Sequence, residues 1–492
     1  MNVNIVRPIV IGMMAISALL AAGCDDLNTG LVKRGYSFLI QYPFSWAHPA
    51  NLDADNIDCD SVLKKPTSEK PMVVVDSSGN AVITWLSKPD SGNNSIFKSE
   101  YRNGRWIHPC DFDNDKLNSA TADPIDNHTV SICDNGTAVI AWVQNDYDGT
   151  FARLLLFNNG VRGTMETIST APTEEIASAL NANGNGYIVF TQMNGGIYQI
   201  YRREIHNGVL DPGSPIGPMS SGPNHASCLQ VAIDKQGNAV IAWQQSDGSA
   251  LQTYMNEYRG ASWSGPIKIS YSGGDFNGAF IPKVAMSDNG SALVAWQQQT
   301  GGSLNRIFYS YYNGSNWDHP ASDDDNRLDD AGTGVDGGLS PQIAMDRNGN
   351  AVVAWTRTIH GISHIQKADY RNGAWSRPGI DDHIDPDNGS ATNPSVAMGG
   401  NDAVIAWRQD DGSNYHIYKA EYRNGSWKYP SDLLIENIDS EVPSETSANV
   451  PFAAMNNSGE TIIVWDQTYG GYKHIYKSEY RNFYQEILPF LY

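Results

Sequence analysis

The sequence predicts an all-β fold, a β-propeller of eight four-stranded blades, with seven blades as the alternative. Three observations predict it. First, an apolar stretch typified by GNAVVAW at 349–355 recurs eight times, ending on Trp85, Trp142, Phe190, Trp243, Trp296, Trp355, Trp407 and Trp465. These aromatics stand 48 to 59 residues apart, the length of one propeller blade. Second, each repeat holds runs of β-branched and aromatic residues bounded by Gly, Asn and Asp, which favours strands over helices. Third, Asn-Gly recurs late in the repeat, at 103–104, 159–160, 207–208, 313–314, 372–373 and 424–425. Between strands that pair signals a type I′ turn, because both central residues need positive φ.

The elements of a repeat follow in order. The first strand resembles PQIAMD (341–346), and a short turn such as DRNGN leads to the second, NAVVAWTR (350–357). Both are apolar at nearly every position, which implies burial on both faces. A polar loop leads to the third strand, such as HIYKAEYR (416–423), which alternates more, as an outer strand does. Its Glu and Arg share one face (Glu100 with Arg102, Glu421 with Arg423, Glu479 with Arg481) and are expected to form a cross-strand charge ladder. A short fourth strand carries a second Trp and ends at Pro. The last repeat lacks that Trp and has Tyr484 in YRNFYQEI. The segment YSFLIQYPFSWAHP (36–49) reads as a third and fourth strand without a first and second. It is expected to add a strand to the last blade and close the ring, since an open solenoid would leave two bare edges.

At the N-terminus Arg7 precedes an apolar run from Ile9 to Ala22, too short to span a membrane and built like a secretory signal. Leu20-Ala21-Ala22-Gly23-Cys24 resembles the lipobox of bacterial lipoproteins. That resemblance implies cleavage before Cys24 and acylation of its thiol. The expected organisation is a signal peptide at 1–23, an acylated cysteine and tether at 24–35, and one propeller domain at 36–492. Membrane contact is then expected through the lipid alone, in the bacterial cell envelope. Asp25 and Asp26 imply the inner membrane under the enterobacterial rule, while other bacteria read that position differently. The GNAxxxW repeats resemble those of large, poorly characterised bacterial surface proteins, a resemblance that brings no activity. Sialidase propellers carry Asp boxes, but AMDRNGNAVVAW (344–355) places nine residues where that box has five.

The formal net charge is −21, with 54 acidic against 33 basic residues. Such a chain is unsuited to nucleic acid or anionic lipid, which are held by cationic groups. Beyond Cys24 there remain Cys59, Cys110, Cys133 and Cys228, enough for two disulfides. Cys59 with Cys110 is the expected pair, both being in corresponding inter-repeat loops. Cys133 lies in an apolar strand pattern and is expected to be a small buried residue.

Propeller topology divides the loops between two faces. One face receives the tight turns; the other receives the loops from strand two to three and from blade to blade, which are expected to be longer. The latter set is acidic: DADNIDCD (53–60), CDFDNDK (110–116), DDDNRLDD (323–330), DDHIDPDNG (381–389) and IENIDSE (435–441). This face is expected to meet a partner, with Asp323, Asp324 and Asp325 as binding candidates. Two residues beyond the strand-two aromatic lie Gln144, Gln192, Gln245, Gln298, Gln409 and Gln467, on the same side as the ring and toward the same face. They are ligand candidates too, as amides beside aromatics suit a sugar. No cofactor is expected apart from calcium, for which Asp111, Asp113 and Asp115, or Asp385 and Asp387, offer oxygens. His364, His416 and His474 begin the third strands of successive blades, too far apart to share an ion. The chain holds no GxSxG, HExxH, paired CxxC or P-loop, so no enzyme is expected. The expected function is a binding or scaffold module for an envelope protein; the alternatives are a multivalent glycan-binding propeller and, behind it, a glycan hydrolase.

Overall fold

The computed structural model describes residues 38–41, 44–58, 66–89, 93–118, 123–146, 148–273, 276–300, 304–329, 337–433, 435–439, 447–481 and 484–487. Cys24, Asp25, Asp26 and Cys59 lie outside them. Among the described residues every regular element is a strand, and these form eight sheets of at least four strands plus a separate pair. The chain is an eight-bladed β-propeller. The first blade runs Thr67–Val75, Ala81–Lys88, Ser95–Arg102 and Arg105–Ile107 from inside to outside. The sixth runs Gly338–Met345, Ala351–Ile359, Ile362–Arg371 and Ala374–Ser376. The eighth takes Phe452–Met455, Thr461–Tyr469 and Tyr472–Arg481 from the end of the chain and its outer strand, Ser45–Ala47, from the beginning.

The ring is held by apolar packing between neighbours. Each pair of adjacent blades shares one cluster of buried side chains, and the cluster joining the eighth to the first holds Ile462, Val464 and Ile475 with Val73, Ile83 and Trp85. The seven strand-two tryptophans and Phe190 are fully buried. Residues 1–45 and 482–492 form a unit of their own, in which Phe38–Gln41 pairs antiparallel with Tyr484–Ile487. The segment 36–49 is therefore split between two jobs. Only its second half joins the last blade, where Trp46 takes the place for which the sequence suggested Tyr484.

The innermost strands bulge at a repeated point. Lys70, Cys228, Ile281, Ser340 and Asn393 all have positive φ there, and four of the five precede a proline. An inner strand has one unpaired edge, so a proline at a bulge leaves no ladder bond unmade. On the outer hairpins, Asn103, Asn159, Asn207, Asn372 and Asn424 have φ of 48° to 54° and are followed by glycines of positive φ, as type I′ turns require. Asn313 departs from this. The hairpin has the same span as the others, Tyr312 pairing Trp317 as Tyr422 pairs Trp427, but its Asn-Gly stands one position earlier, and the Asn313 side chain accepts from the Ser315 and Asn316 amides. The strand two-to-three loops also differ from expectation. In blades three, six and eight they are two-residue turns, at Gly195-Gly196, His360-Gly361 and Gly470-Gly471, so the long-loop face is built chiefly by the blade-to-blade segments.

The repeated Glu and Arg of strand three do more than lie along one strand. Four of these acids accept from the outer-strand Trp of the following blade: Glu257 from Trp317, Asp369 from Trp427, Glu421 from Trp46 and Glu479 from Trp106, at 2.8–3.2 Å. The neighbouring Arg crosses the same seam. Arg102, Arg259, Arg423 and Arg481 donate to the carbonyls of Gly136, Gly290, Gly459 and Gly79 in the next blade's first turn. The motif is an inter-blade clamp, and Arg481 to Gly79 is its ring-closing copy.

Candidate functional site

The long-loop face is built on one repeated hydrogen-bond scheme. Each blade-to-blade segment returns along strand three of the blade it has just left. An apolar residue donates its amide to a strand-three carbonyl, as Leu117 does to Ile96, Leu328 to Ile307, Ile384 to Ile365, Ile438 to Ile417 and Ile57 to Ile475, at 2.8–3.0 Å. The next residue accepts the strand-three amide with its side chain. In blades one to four this acceptor is Asn118, Ser169, Ser220 and Ser270; in blades five to eight it is Asp329, Asp385, Asp439 and Asp58. A buried polar side chain thereby satisfies a backbone N–H that the short fourth strand does not reach.

Where the acceptor is Asp, its second oxygen faces an arginine or a histidine one residue earlier on strand three. Arg306 lies 3.5 Å from Asp329, His364 2.9 Å from Asp385, His416 2.9 Å from Asp439 and His474 3.4 Å from Asp58. A buried carboxylate needs such a partner. At His416 burial opposes protonation, but Asp439 and Asp411 outweigh it and raise the imidazole above its ordinary range.

Blade six alone adds a second imidazole to this arrangement. His383 stands two residues before Asp385, with its ring centroid 4.2 Å from that of His364. Its Nδ1 donates to the Asp385 carbonyl at 2.8 Å and lies 3.5 Å from Asp385 Oδ1, while Nε2 lies 3.1 Å from Asp387 Oδ1. The hydrogen bond to Asp385, with a further pull from Asp387, raises His383 to about 8 against the opposing effect of burial. Burial would raise the Asp385 carboxyl in turn, yet the two imidazoles and the Ile365 amide hold it below the usual carboxylate range. His383 lines an open cleft of about 300 Å³ with Lys367, Arg377, Asp382 and Tyr429. Tyr429 is exposed and stacks on Trp427.

The six glutamines all sit beneath this face and are buried. Five accept from the indole N–H two residues earlier, at 3.0–3.2 Å: Gln144, Gln245, Gln298, Gln409 and Gln467. Their amide nitrogens bind the loops. Gln245 donates to the Asn224 carbonyl, Gln298 to Tyr271, and Gln409 to Pro386, Asn388 and Gly389. Gln192 accepts from the Thr170 amide at 2.7 Å. Asp111 and Asp115 likewise turn onto their own loop: Asp115 accepts from the Cys110 and Asp111 amides and Asp111 from the Asp113 and Asn114 amides. Asp113 pairs with Lys116 at 3.6 Å. Asp324 and Asp325 are exposed, Asp323 is partly buried, and Asp324 lies 3.1 Å from Arg327. Cys110 is exposed and Cys133 buried; the expected Cys59–Cys110 bridge falls on residue 59, outside the described residues. Sequence reasoning placed Asp385 and Asp387 together but missed His383. Aligning the loops DNID, DKLN, NRLD, DHID and ENID on their apolar residue would have shown it as a histidine where the others have Asn56, Lys116, Arg327 and Asn437.

No protein-family model and no curated protein matches the chain. Among solved structures it is similar to a lectin of Burkholderia pseudomallei (BP39L), at 16% identity and TM-score 0.44, over 74% of this chain and 98% of that one. It is similar to the polysaccharide lyase Uly1 at 11% identity and TM-score 0.46, over 78% and 94%. It is also similar to a protein of unknown function from Dyadobacter fermentans at 10% identity and TM-score 0.37, over 88% and 98%. Likeness at this level assigns neither a family nor an activity.

Proposed function

We propose that the chain is an extracytoplasmic binding or scaffold module, anchored by an acylated Cys24, that meets a protein of the cell envelope with its blade-to-blade loop face. One observation carries the reading. The repeated acidic residues are used internally: Asp76, Asp234 and Asp346 accept amides of their own turns, and Glu257, Glu421 and Glu479 are clamps. On the blade-to-blade loops, by contrast, Asp53, Asp113, Asp324, Asp325, Asp381, Asp387 and Asp432 are exposed, and no more than three of them, Asp53, Asp113 and Asp324, share one loop position. Exposed, varied loops on a rigid frame suit recognition of one partner, and the surplus of negative charge suits a cationic patch on it.

The test is cross-linking and co-purification of the full chain from membranes. The D323N/D324N/D325N variant is expected to lose the captured protein without a change in unfolding midpoint; retention of the same protein would refute the reading. The anchor has its own test, in which Cys24→Ser abolishes fatty-acid labelling and moves the protein out of the membrane fraction. A second reading, a glycan-binding propeller, is favoured by the exposed Tyr429 ring beside Lys367 and Arg377 in the cleft. It predicts glycan-array binding that Tyr429→Ala removes.

A further inference from the structure

We propose that His364, His383 and Asp385 form a binding site for one divalent transition-metal ion such as Zn²⁺, with the fourth position left to a solvent ligand. This goes beyond the binding reading above and does not depend on which partner the loop face meets.

The geometry is that of a metal site. One ligand atom from each of the three residues lies within 4.8 Å of the others. In a tetrahedral site with bonds of about 2.0–2.1 Å, ligand atoms stand about 3.3 Å apart. The neighbouring donor pairs here are 2.9 Å (His364 Nδ1 to Asp385 Oδ2) and 3.5 Å (His383 Nδ1 to Asp385 Oδ1); an ion at His383 Nδ1 would replace the hydrogen bond that this nitrogen donates to the Asp385 carbonyl, while Asp387 faces the other ring nitrogen, Nε2. His364 and Asp385 are buried and fixed by strand three, His383 is partly buried, and the Asp387 side chain is 89% exposed. Two ligands are thus held rigidly while His383 reaches solvent, and the adjoining cleft provides a way in. Two imidazoles with carboxylate select a borderline ion such as zinc over calcium, which takes six to eight oxygens.

The repeat supplies the internal control. A His–Asp pair by itself is part of the loop scheme, since blades seven and eight carry His416–Asp439 and His474–Asp58. What blade six adds is the second imidazole. At the position of His383, blade seven has Asn437 and blade eight Asn56. Among the described residues the other metal-compatible group, Glu204, His206 and Asp211, brings a single imidazole on an exposed residue.

The test uses the untagged full chain, titrated with Zn²⁺ by calorimetry and with Co²⁺ by visible absorption. One equivalent should bind, and the cobalt protein should show the intense d–d bands of a tetrahedral site. His383→Asn copies blade seven, and Asp385→Asn copies Asn118, which makes the same backbone bond in blade one; both variants should fold. Each is expected to weaken Zn²⁺ binding by at least about 100-fold, while His206→Asn leaves it unchanged. Absence of stoichiometric binding, binding that survives His383→Asn, or equal weakening by His206→Asn would each overturn the proposal.

Discussion

The closure of the ring by residues 45–58 can be tested against a copy of itself. Ile57 and Ile438 occupy the same place in the blade-to-blade scheme. Each is 2% exposed, and each donates its amide to strand three, at 2.9 Å to Ile475 and at 2.8 Å to Ile417. Both pack in clusters between blades, Ile57 with Val73, Phe97 and Phe112, Ile438 with Leu52, Ile463 and Trp465. They differ in origin, because Ile57 reaches its blade from the opposite end of the chain. If residues 45–58 are a full outer edge of blade eight, truncation to Ala must cost the same at both sites. Removing three buried carbons and leaving a cavity costs about 2–5 kcal/mol for such an isoleucine, and the backbone bond survives in Ala. The assay is urea unfolding of Ile57→Ala and Ile438→Ala side by side, comparing midpoints at unchanged slope. A loss of about 2 kcal/mol or more at Ile438 with less than about 0.5 at Ile57 would refute the closure.

Three further outcomes follow from the repeat. Gln409→Ala removes an acceptor from the Trp407 indole and a donor to the carbonyls of Pro386, Asn388 and Gly389; each group left unpaired costs about 1–3 kcal/mol. The variant should lose stability and show faster amide exchange across 386–389, and unchanged exchange there would count against this tie. Ile281, a β-branched residue with φ of 52°, carries backbone strain of about 1–2 kcal/mol. Ile281→Asn, which copies Asn393, should raise the unfolding midpoint, and a lowered midpoint would show that the side chain's packing outweighs the strain. His128 is buried, and burial together with nearby Lys70 lowers it to about 4. Its folded value lies below the unfolded 6.5, so the unfolded chain binds the extra proton between them. Stability should therefore fall as pH drops from about 6.5 to 4, by up to about 3 kcal/mol. His128→Gln should flatten that slope, and an unaltered slope would place its origin elsewhere.

What was legible in the sequence was whatever the repeat writes eight times. Strand order, the burial of the second-strand tryptophans and the placing of the glutamines beside them all follow from periodicity, because each copy votes on the same geometry. Asn-Gly turns were legible for a local reason, since few sequences other than Asn-Gly accept two positive φ values in a row. The failures lie where one copy departs. An Asn-Gly standing one position earlier in a hairpin of unchanged length took Asn313 out of the type I′ turn. The strand two-to-three loops read as long because polar letters continue past the bend, whereas Gly195-Gly196, His360-Gly361 and Gly470-Gly471 let the flanking strands pair up to the turn itself. The segment 36–49 does add a strand to the last blade, as its sequence suggests, but the pattern could not show that Ser45–Ala47 alone joins it while Phe38–Gln41 pairs with Tyr484–Ile487. Nor could it show that Glu421 and Arg423 reach across a seam, as their partners Trp46 and Gly459 are remote or unremarkable in the sequence.

The clamp explains why these repeated polar residues carry so little functional information. Glu421 is held by Lys419, Arg423 and the Trp46 indole; burial alone would raise its carboxyl, but these three partners keep it below the ordinary range. Arg423 is stacked over Tyr480 of the next blade, 3.8 Å from its centroid, and Arg481 lies 4.0 Å from the centroid of Tyr101 across the closing seam. A residue so covered and engaged is out of a ligand's reach, and its recurrence reflects the seam between blades. Chemistry that serves only one partner is therefore to be sought where a copy departs from the others while keeping the scaffold bonds. Blade six meets both conditions: Asp385 and Ile384 make the same bonds as their counterparts, and His383 is the substitution.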